Sequence, residues 1–367
     1  MTRIAIFVDD ISSVGGEETY ASSLIKLFEN SYEMRIVTGI PVRNGNLTAE
    51  RFHFNDKMYY KVIRLGNHRI PYRILNYKEL GNFDLIYCAH TDFLTIPFLI
   101  FFSKVLKLRV IFGLHSYYLI QSPYLHKKFD WVKRYLIKFY LKFMNNIHVI
   151  NTDDFNKLKK LGFEGNLHYV PNFITHMPEV KANNDHKFTV LLISRLTVDQ
   201  KGIDLLPGII EKVMEKERSI DVRVVGGGEG SNIAMSLAAK YQENVHYLGM
   251  VDNKLLEEER NNATIFISTS RDETFGLSVL EAQTYGLPCI CFDVRGLHDI
   301  IKTREQGVLI KPFNLGDFAE SILEYYHKWK NGEITAKTKT EIRKAVYKNF
   351  AFEFLREDFQ NMVESTQ

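Results

Sequence analysis

The chain has 367 residues, 45% of them hydrophobic, and its 47 Lys and Arg against 44 Asp and Glu leave a formal net charge of +3. That length accommodates two domains of ordinary size, and the balance is that of a soluble globular protein. Met1-Thr2-Arg3 runs straight into a strand without a signal-peptide pattern. The longest apolar run, Phe93 to Phe102, is interrupted by Pro97 and falls short of the ~20 residues a bilayer requires. A cytoplasmic protein, free or peripheral on the inner face of the membrane, is expected.

The first half alternates strand and helix. Apolar runs predict strands at Arg3 to Asp9, Met34 to Thr38, Tyr59 to Leu65, Phe83 to Ala89, Val110 to His115 and Ile147 to Asn151. Such alternation implies a doubly wound parallel sheet with ligands gathered at the C-terminal strand ends. Gly15 and Gly16 form a Gly-rich turn at one of those ends, opening the helix Thr19 to Glu29. His115 closes another strand, and a lone histidine in such a place is more often structural than catalytic. From Tyr124 to Asn146 the chain reads as one basic amphipathic helix, with Tyr135, Phe139 and Phe143 among its periodic apolar residues. That pattern suits either a core face beneath a solvated basic face or docking on an anionic membrane. Nucleic-acid binding is not expected, because no groove-reading or stacking motif accompanies it. A polar stretch, residues 176–187, reads as a linker.

The second half restarts the alternation. Strand Phe188 to Ile193 leads into a turn flanked by Arg195 and Lys201, two cations at one strand end. Strand Asp221 to Val225 enters Gly226-Gly227-Gly228-Glu229-Gly230, which lacks the dinucleotide fingerprint and reads as room for a nucleotide. Strand Val245 to Leu248 ends at Gly249-Met250-Val251. Ala263 to Thr269 is a buried strand, followed by the loop Asp272-Glu273-Thr274-Phe275-Gly276 and a helix stopped by Gly286 and Pro288. Gly276 admits close backbone approach, and the N–H groups of Phe275, Gly276 and Leu277 suit an anion. Glu273 and Glu281 bracket that helix start. Two carboxylates beside an anion site fit a ligand carrying both phosphate and hydroxyls, although Glu is also ordinary near helix starts. Cys88, Cys289 and Cys291 lie in strand-like runs and read as reduced core thiols. Helices Phe318–Lys330 and Thr340–Val363 close the chain.

Glu273, seven intervening residues and Glu281, with Phe-Gly-Leu after the first and Ala282 after the second, closely resemble the signature of retaining glycosyltransferases of family GT4. Gly286-Leu287-Pro288 before a strand continues the likeness, and Arg195 to Gly202 is similar to the family's Arg/Lys-Gly element. Val170-Pro171-Asn172 resembles the end of its first domain, with Phe173 where Gly is usual; Arg295 is a further departure, near the expected sugar pocket. The resemblance implies an α/β fold of the GT-B type, two doubly wound Rossmann-like domains facing a central cleft. Residues 1–175 would bind acceptor, 188–345 would bind the nucleotide sugar, and 346–367 would form a helix crossing back to the first domain.

By the same resemblance Arg195 and Lys201 hold the donor's diphosphate, and Gly15 and Gly16 lie beside it. His115 approaches the anomeric centre, Glu273 orients sugar hydroxyls and Glu281 the ribose. Gly227, Met250 and Val251 accommodate the nucleotide, and Phe275, Gly276 and Leu277 complete the anion site. The implied reaction moves a hexose or N-acetylhexosamine, with retention, from a nucleotide sugar, UDP being the commonest carrier. The acceptor would be a saccharide or lipid-linked hydroxyl in cell-surface glycan synthesis. No Asp-x-Asp clamp stands in a suitable place, so no metal and no cofactor are expected. Residues 1–175 hold 23 Lys and Arg against 15 Asp and Glu, and 176–367 hold 24 against 29, so the basic half suits an anionic or membrane-held acceptor. A non-catalytic nucleotide-sugar-binding partner of another transferase, or a sugar-nucleotide epimerase on a similar fold, are the alternatives.

Overall fold

The computed structural model describes residues 1–8, 16–38, 51–54, 57–64, 77–89, 95–115, 130–180 and 187–366. They form two compact units, one taking the described residues up to Asn172 together with those from Leu355 on, the other running from Phe173 to Phe354.

The first unit is built on β1 (Arg3–Val8), α1 (Gly16–Phe28), β2 (Glu33–Thr38), β3 (Arg51–Phe54), β4 (Lys57–Arg64), β5 (Leu85–Cys88), α2 (Thr95–Leu106), β6 (Arg109–Leu114), α3 (Asp130–Leu141), β7 (Asn146–Val149), α4 (Thr152–Lys160) and β8 (Asn166–Tyr169). Its sheet has the order β3-β4-β2-β1-β5-β6-β7-β8. Pairing is parallel except between β3 and β4, an antiparallel edge that no sequence expectation included. Strand β1 is apolar from Ile4 to Val8 and almost wholly inaccessible. Such a continuous run is what a central strand covered on both faces needs. Ile4 pairs with Met34 on one side and Leu85 on the other, so the winding reverses between β1 and β5. In α1, Tyr20, Leu24 and Phe28 fall at four-residue intervals and are buried, the stripe of a helix packed on a sheet. Phe28 in turn meets Phe359, with ring centroids 4.7 Å apart.

Two expectations need correction. The helix read over 124–146 is described only from Asp130, and it ends at Leu141. Residues 124–129 lie outside the described residues, and Asn146 already begins β7. Of the periodic aromatics, Tyr135, Phe139 and Phe143 are exposed, while Tyr140 packs against the core beside buried Leu141 and Met144. The single helix expected over 340–363 is two, α10 (Ala336–Phe350) and α11 (Phe352–Glu364). Ala351 between them is extended (φ −69°, ψ 135°) because it bridges Ile174. The Ile174 N–H donates to Phe350 O and the Phe352 N–H to Ile174 O, which diverts the helix ladder.

The second unit contains β9 (Thr189–Ile193), α5 (Leu206–Lys216), β10 (Asp221–Val225), α6 (Ser231–Lys240), β11 (Val245–Gly249), α7 (Asn253–Asn262), β12 (Ile265–Ser268), α8 (Leu277–Thr284), β13 (Cys289–Phe292), β14 (Gly307–Ile310) and α9 (Leu315–Lys330), besides α10. All pairings in its sheet, ordered β11-β10-β9-β12-β13-β14, are parallel. The winding runs outward from β9 to β11, then returns to β12 and proceeds the other way. The three cysteines are buried in these sheets.

Candidate active site

Parallel strands send their loops to one edge, and the reversal between β9 and β12 opens a crevice there. In the second unit the loop 194–202 after β9 therefore lies beside the loop 269–276 after β12. Several hydrogen bonds tie them together. The Arg271 N–H donates to Gln200 O at 2.8 Å, and Thr269 Oγ1 donates to Lys201 O at 2.9 Å. The Arg271 guanidinium takes both Asp204 oxygens at 2.7 Å, and that fork holds the Asp204 carboxyl below its ordinary range. Gly202 (φ +61°) permits the approach, because a Cβ there would stand 2.3 Å from Thr269 O.

This lacing brings the Lys201 ammonium to 2.6 Å from Glu273 Oε1. Ser270 Oγ donates to the same oxygen at 2.7 Å. Glu273 is 6% exposed, and its Oε2 accepts no hydrogen bond from a described residue. Lys201 spends one of three N–H donors on this contact and retains two for a ligand. A buried carboxylate with one bare oxygen, beside an ammonium with donors to spare, is equipped to grip hydroxyl and phosphate together.

Arg195 leaves the same strand end and is exposed, with no carboxylate partner among the described residues. Its backbone is fixed by the glycine turn after β10. The Leu196 N–H donates to Gly227 O at 2.9 Å, and the Gly230 N–H to Leu196 O at 2.8 Å. Gly226 (φ +131°) must lack a side chain, since a Cβ would fall 1.8 Å from Ser194 O. Met250, 86% exposed, stands over Gly227, where a Cβ would lie 2.9 Å from its Cγ. Val251 beside it is half-buried.

Helix α8 begins at Leu277 with Gly276 as its cap at φ +95°. The N–H groups of Phe275, Gly276 and Leu277 donate to no described residue, leaving the helix start open to an anion. One turn in, Glu281 is half-exposed and forms an ion pair with Arg260, whose guanidinium lies 5.9 Å from the Tyr285 ring centroid. Nothing in the residue pattern pointed to Arg260. Arg295 was expected near the sugar pocket as a departure from the family pattern, and its partner was not foreseen. Arg295 donates to both oxygens of Asp272 at 2.8 and 3.0 Å. Asp272 is wholly inaccessible and the Arg295 side chain 10% exposed, so this fork anchors the loop that carries Glu273.

In the first unit His115 follows β6. Its Nε2 is 2.7 Å from Tyr87 Oη, which is 2.7 Å from His148 Nδ1. His148 Nε2 is in turn 2.7 Å from Val170 O. Burial pushes the His115 pKa well below the usual value and that of His148 down to about 4. Gly16 opens α1, while Gly15 lies outside the described residues. Among the described residues no three His, Cys, Asp or Glu gather as metal ligands, and no helix is long and apolar enough to cross a membrane.

Residues 174–347 match the family model described as Glycosyl transferases group 1. The chain is 29% identical over 205 residues to the poly(ribitol-phosphate) alpha-N-acetylglucosaminyltransferase of Staphylococcus aureus, covering 53% of this chain and 40% of that one. It is 26% identical over 211 residues to the O-antigen biosynthesis glycosyltransferase WbnH of Escherichia coli, covering 56% and 58%. The chain thus spans about half the length of the curated relatives it matches. Among solved structures, the apo lipopolysaccharide outer core galactosyltransferase WaaB superposes with a TM-score of 0.74 at 19% identity over 100% of both chains. Anabaena Alr3699/HepE in complex with UDP and glucose gives 0.78 at 14% identity, also over 100% of both. At these identities the likeness shows the fold, the GT-B architecture of two Rossmann-like domains.

Proposed function

Residues 174–347 belong to the group 1 glycosyl transferases, and from that membership we propose that this chain is a retaining, metal-independent hexosyltransferase of the GT4 type. It moves a hexose or N-acetylhexosamine from a UDP-linked donor to a hydroxyl of a saccharide or lipid-linked acceptor in cell-surface glycan synthesis. The observation that carries this reading is the Lys201–Glu273 pair at 2.6 Å, on the sheet edge that also bears exposed Arg195 and the open start of α8. The names of the similar proteins, a poly(ribitol-phosphate) alpha-N-acetylglucosaminyltransferase and an O-antigen biosynthesis glycosyltransferase, and the UDP held by one structural neighbour, support the class of donor and product.

The chemical task is to stabilise a departing nucleoside diphosphate. Arg195, the remaining donors of Lys201 and the N–H groups of Phe275 to Leu277 supply positive charge and dipoles aimed at its oxygens. Glu273 Oε2 accepts from a sugar hydroxyl, and its negative charge favours the oxocarbenium character that develops as the bond to the phosphate breaks. Glu281, held by Arg260, accepts from the ribose hydroxyls. Met250 and Val251 border the base beside Gly227. The leaving phosphate oxygen takes the proton of the incoming hydroxyl, which delivers the acceptor to the face just vacated and retains configuration.

Residues 1–175 are assigned the acceptor, with His115 touching a sugar hydroxyl, and 188–345 the nucleotide sugar. Exposed Phe101 of α2 and Tyr135, Phe139 and Phe143 of α3 and the turn after it, with Lys104 over the Phe143 ring at 5.0 Å, favour docking on the anionic inner face of a membrane.

A panel of nucleotide sugars, scored for thermal stabilisation and for donor hydrolysis or transfer, tests the assignment. Stabilisation with release of UDP supports it. Stabilisation without turnover would indicate an accessory subunit, and an epimerised free donor would indicate an isomerase. Flotation with anionic liposomes tests docking, and loss of binding in Phe139→Ala is expected.

A further inference from the structure

Behind His115 runs a chain of hydrogen bonds whose direction is fixed by its far end. Val170 O is a backbone carbonyl and can only accept, so His148 Nε2, 2.7 Å away, carries hydrogen. His148 is fully buried and neutral, and a neutral imidazole has one N–H. Its Nδ1 is therefore bare and accepts the Tyr87 hydroxyl proton across 2.7 Å. The Tyr87 oxygen, its only proton spent, must receive from His115 Nε2, also at 2.7 Å. His115 is left with hydrogen on Nε2 and a lone pair on Nδ1, which takes no hydrogen bond from a described residue.

The neighbourhood is shaped around this arrangement. At Gly113 a Cβ would lie 2.9 Å from both Tyr87 Oη and His115 Nε2, so only glycine leaves room for the contact. The Tyr20 ring packs against the His115 ring at 4.5 Å between centroids and a 45° tilt, which restricts ring rotation. Tyr87 lies in β5 and His148 in β7, and His115 directly follows β6, which pairs with both strands.

We propose that Tyr87 and His148 are positioning residues that set the tautomer of His115, so that it meets a sugar as a hydrogen-bond acceptor through Nδ1. The sugar contact rests on the function proposed above; the tautomer does not. A group that accepts selects a partner that donates. His115 thereby recognises a hydroxyl and discriminates against a sugar in which that hydroxyl is replaced by fluorine, an ether or hydrogen.

The test is ¹⁵N NMR of the histidine rings in the full-length chain, which reports the protonated nitrogen without substrate. The expected spectrum has both His115 and His148 protonated on Nε2 and bare on Nδ1. Tyr87→Phe should turn His115 into a mixture of tautomers and lower kcat about tenfold, the equivalent of one neutral hydrogen bond, with the donor KM held within about twofold. A wild-type His115 protonated on Nδ1 overturns the proposal, and so does a Tyr87→Phe variant with an unchanged tautomer. If Tyr87→Phe fails to fold, the wild-type spectrum still decides. A His115→Ala variant of full activity would remove the sugar contact, and with it this role. Absence of transfer from every nucleotide sugar would strike the transferase reading alone, since the ring spectra are read without one.

Discussion

Lys201 and Glu273 lie 72 positions apart in the chain, and the lysine Nζ sits 2.6 Å from the carboxylate Oε1. The pair exists because the winding of the second sheet reverses between β9 and β12, which sets two unrelated loops side by side. One group attracts phosphate and the other repels it, so they divide a ligand that has both phosphate and hydroxyls. Removing the ammonium leaves Glu273, 6% exposed, with Ser270 as its one side-chain partner among the described residues and takes a preorganised donor from the leaving group. Lys201→Ala is expected to lower kcat ~10²–10³-fold, read by steady-state release of nucleoside diphosphate. An unchanged kcat would remove Lys201 from the site.

Glu281 is held from outside its helix, by Arg260. The Glu281 side chain is half-exposed, so the pair's own strength in water is small. Its consequence is placement of the carboxylate for the ribose. Glu281→Ala is expected to weaken nucleotide binding about tenfold, and Arg260→Ala by less, both measured by calorimetry with UDP. Equal affinity in all three proteins would show that the ribose is held elsewhere.

Among the described residues, Arg295 and Asp272 form the ion pair most withdrawn from solvent, at 10% and 0% side-chain exposure. Deleting one partner of a buried pair strands the other charge. Arg295→Ala is expected to cost about 3–5 kcal/mol of stability, seen as a lower urea midpoint. A loss under about 1 kcal/mol would mean that Asp272 finds another partner.

The histidine chain predicts a dependence of stability on pH. His148 has its folded pKa lowered to about 4 by burial, from an ordinary 6.5, and His115 is lowered too. Both are neutral in the native state, so the unfolded chain binds more protons below pH 6.5. Their contribution is complete above that value and is lost as pH falls toward 4, at up to about 1.4 kcal/mol per pH unit for each histidine. Urea denaturation at stepped pH measures this, and His148→Gln should flatten the slope. A wild-type profile already flat between pH 6.5 and 4.5 would contradict it.

What could be read from the sequence follows from what is local. Strand, glycine-capped loop and helix occupy adjacent positions from Ile265 to Thr284, and their periodicity and turn chemistry located them within a residue or two. Arg195, Lys201 and Glu273 also stand at strand ends, but that position alone does not mark them; the resemblance to a family signature singled them out. The partners that hold these groups were not legible. Arg260, 21 positions before Glu281, and Arg295, 23 after Asp272, are ordinary surface-type residues in sequence. Only the packing of neighbouring elements selects them. Tyr87 and His148 look like strand-interior residues, because a hydrogen-bonded relay across three strands leaves no spacing pattern. The helix break at Ala351 is similarly silent, since alanine favours helix and the interruption comes from Ile174, far away in the chain. The aromatic periodicity of α3 left core packing and surface exposure open, because a helical stripe does not say what covers it.

The most direct measurement incubates the wild-type chain and an Arg195→Ala/Lys201→Ala double variant with the nucleotide sugar that best stabilises the protein, in excess chelator, and follows donor and product anomers by NMR. The proposed function predicts that the wild type releases nucleoside diphosphate and forms a product of retained configuration, while the folded double variant is slower by at least ~10³-fold. Equal turnover by the two proteins, or an inverted product, would contradict it.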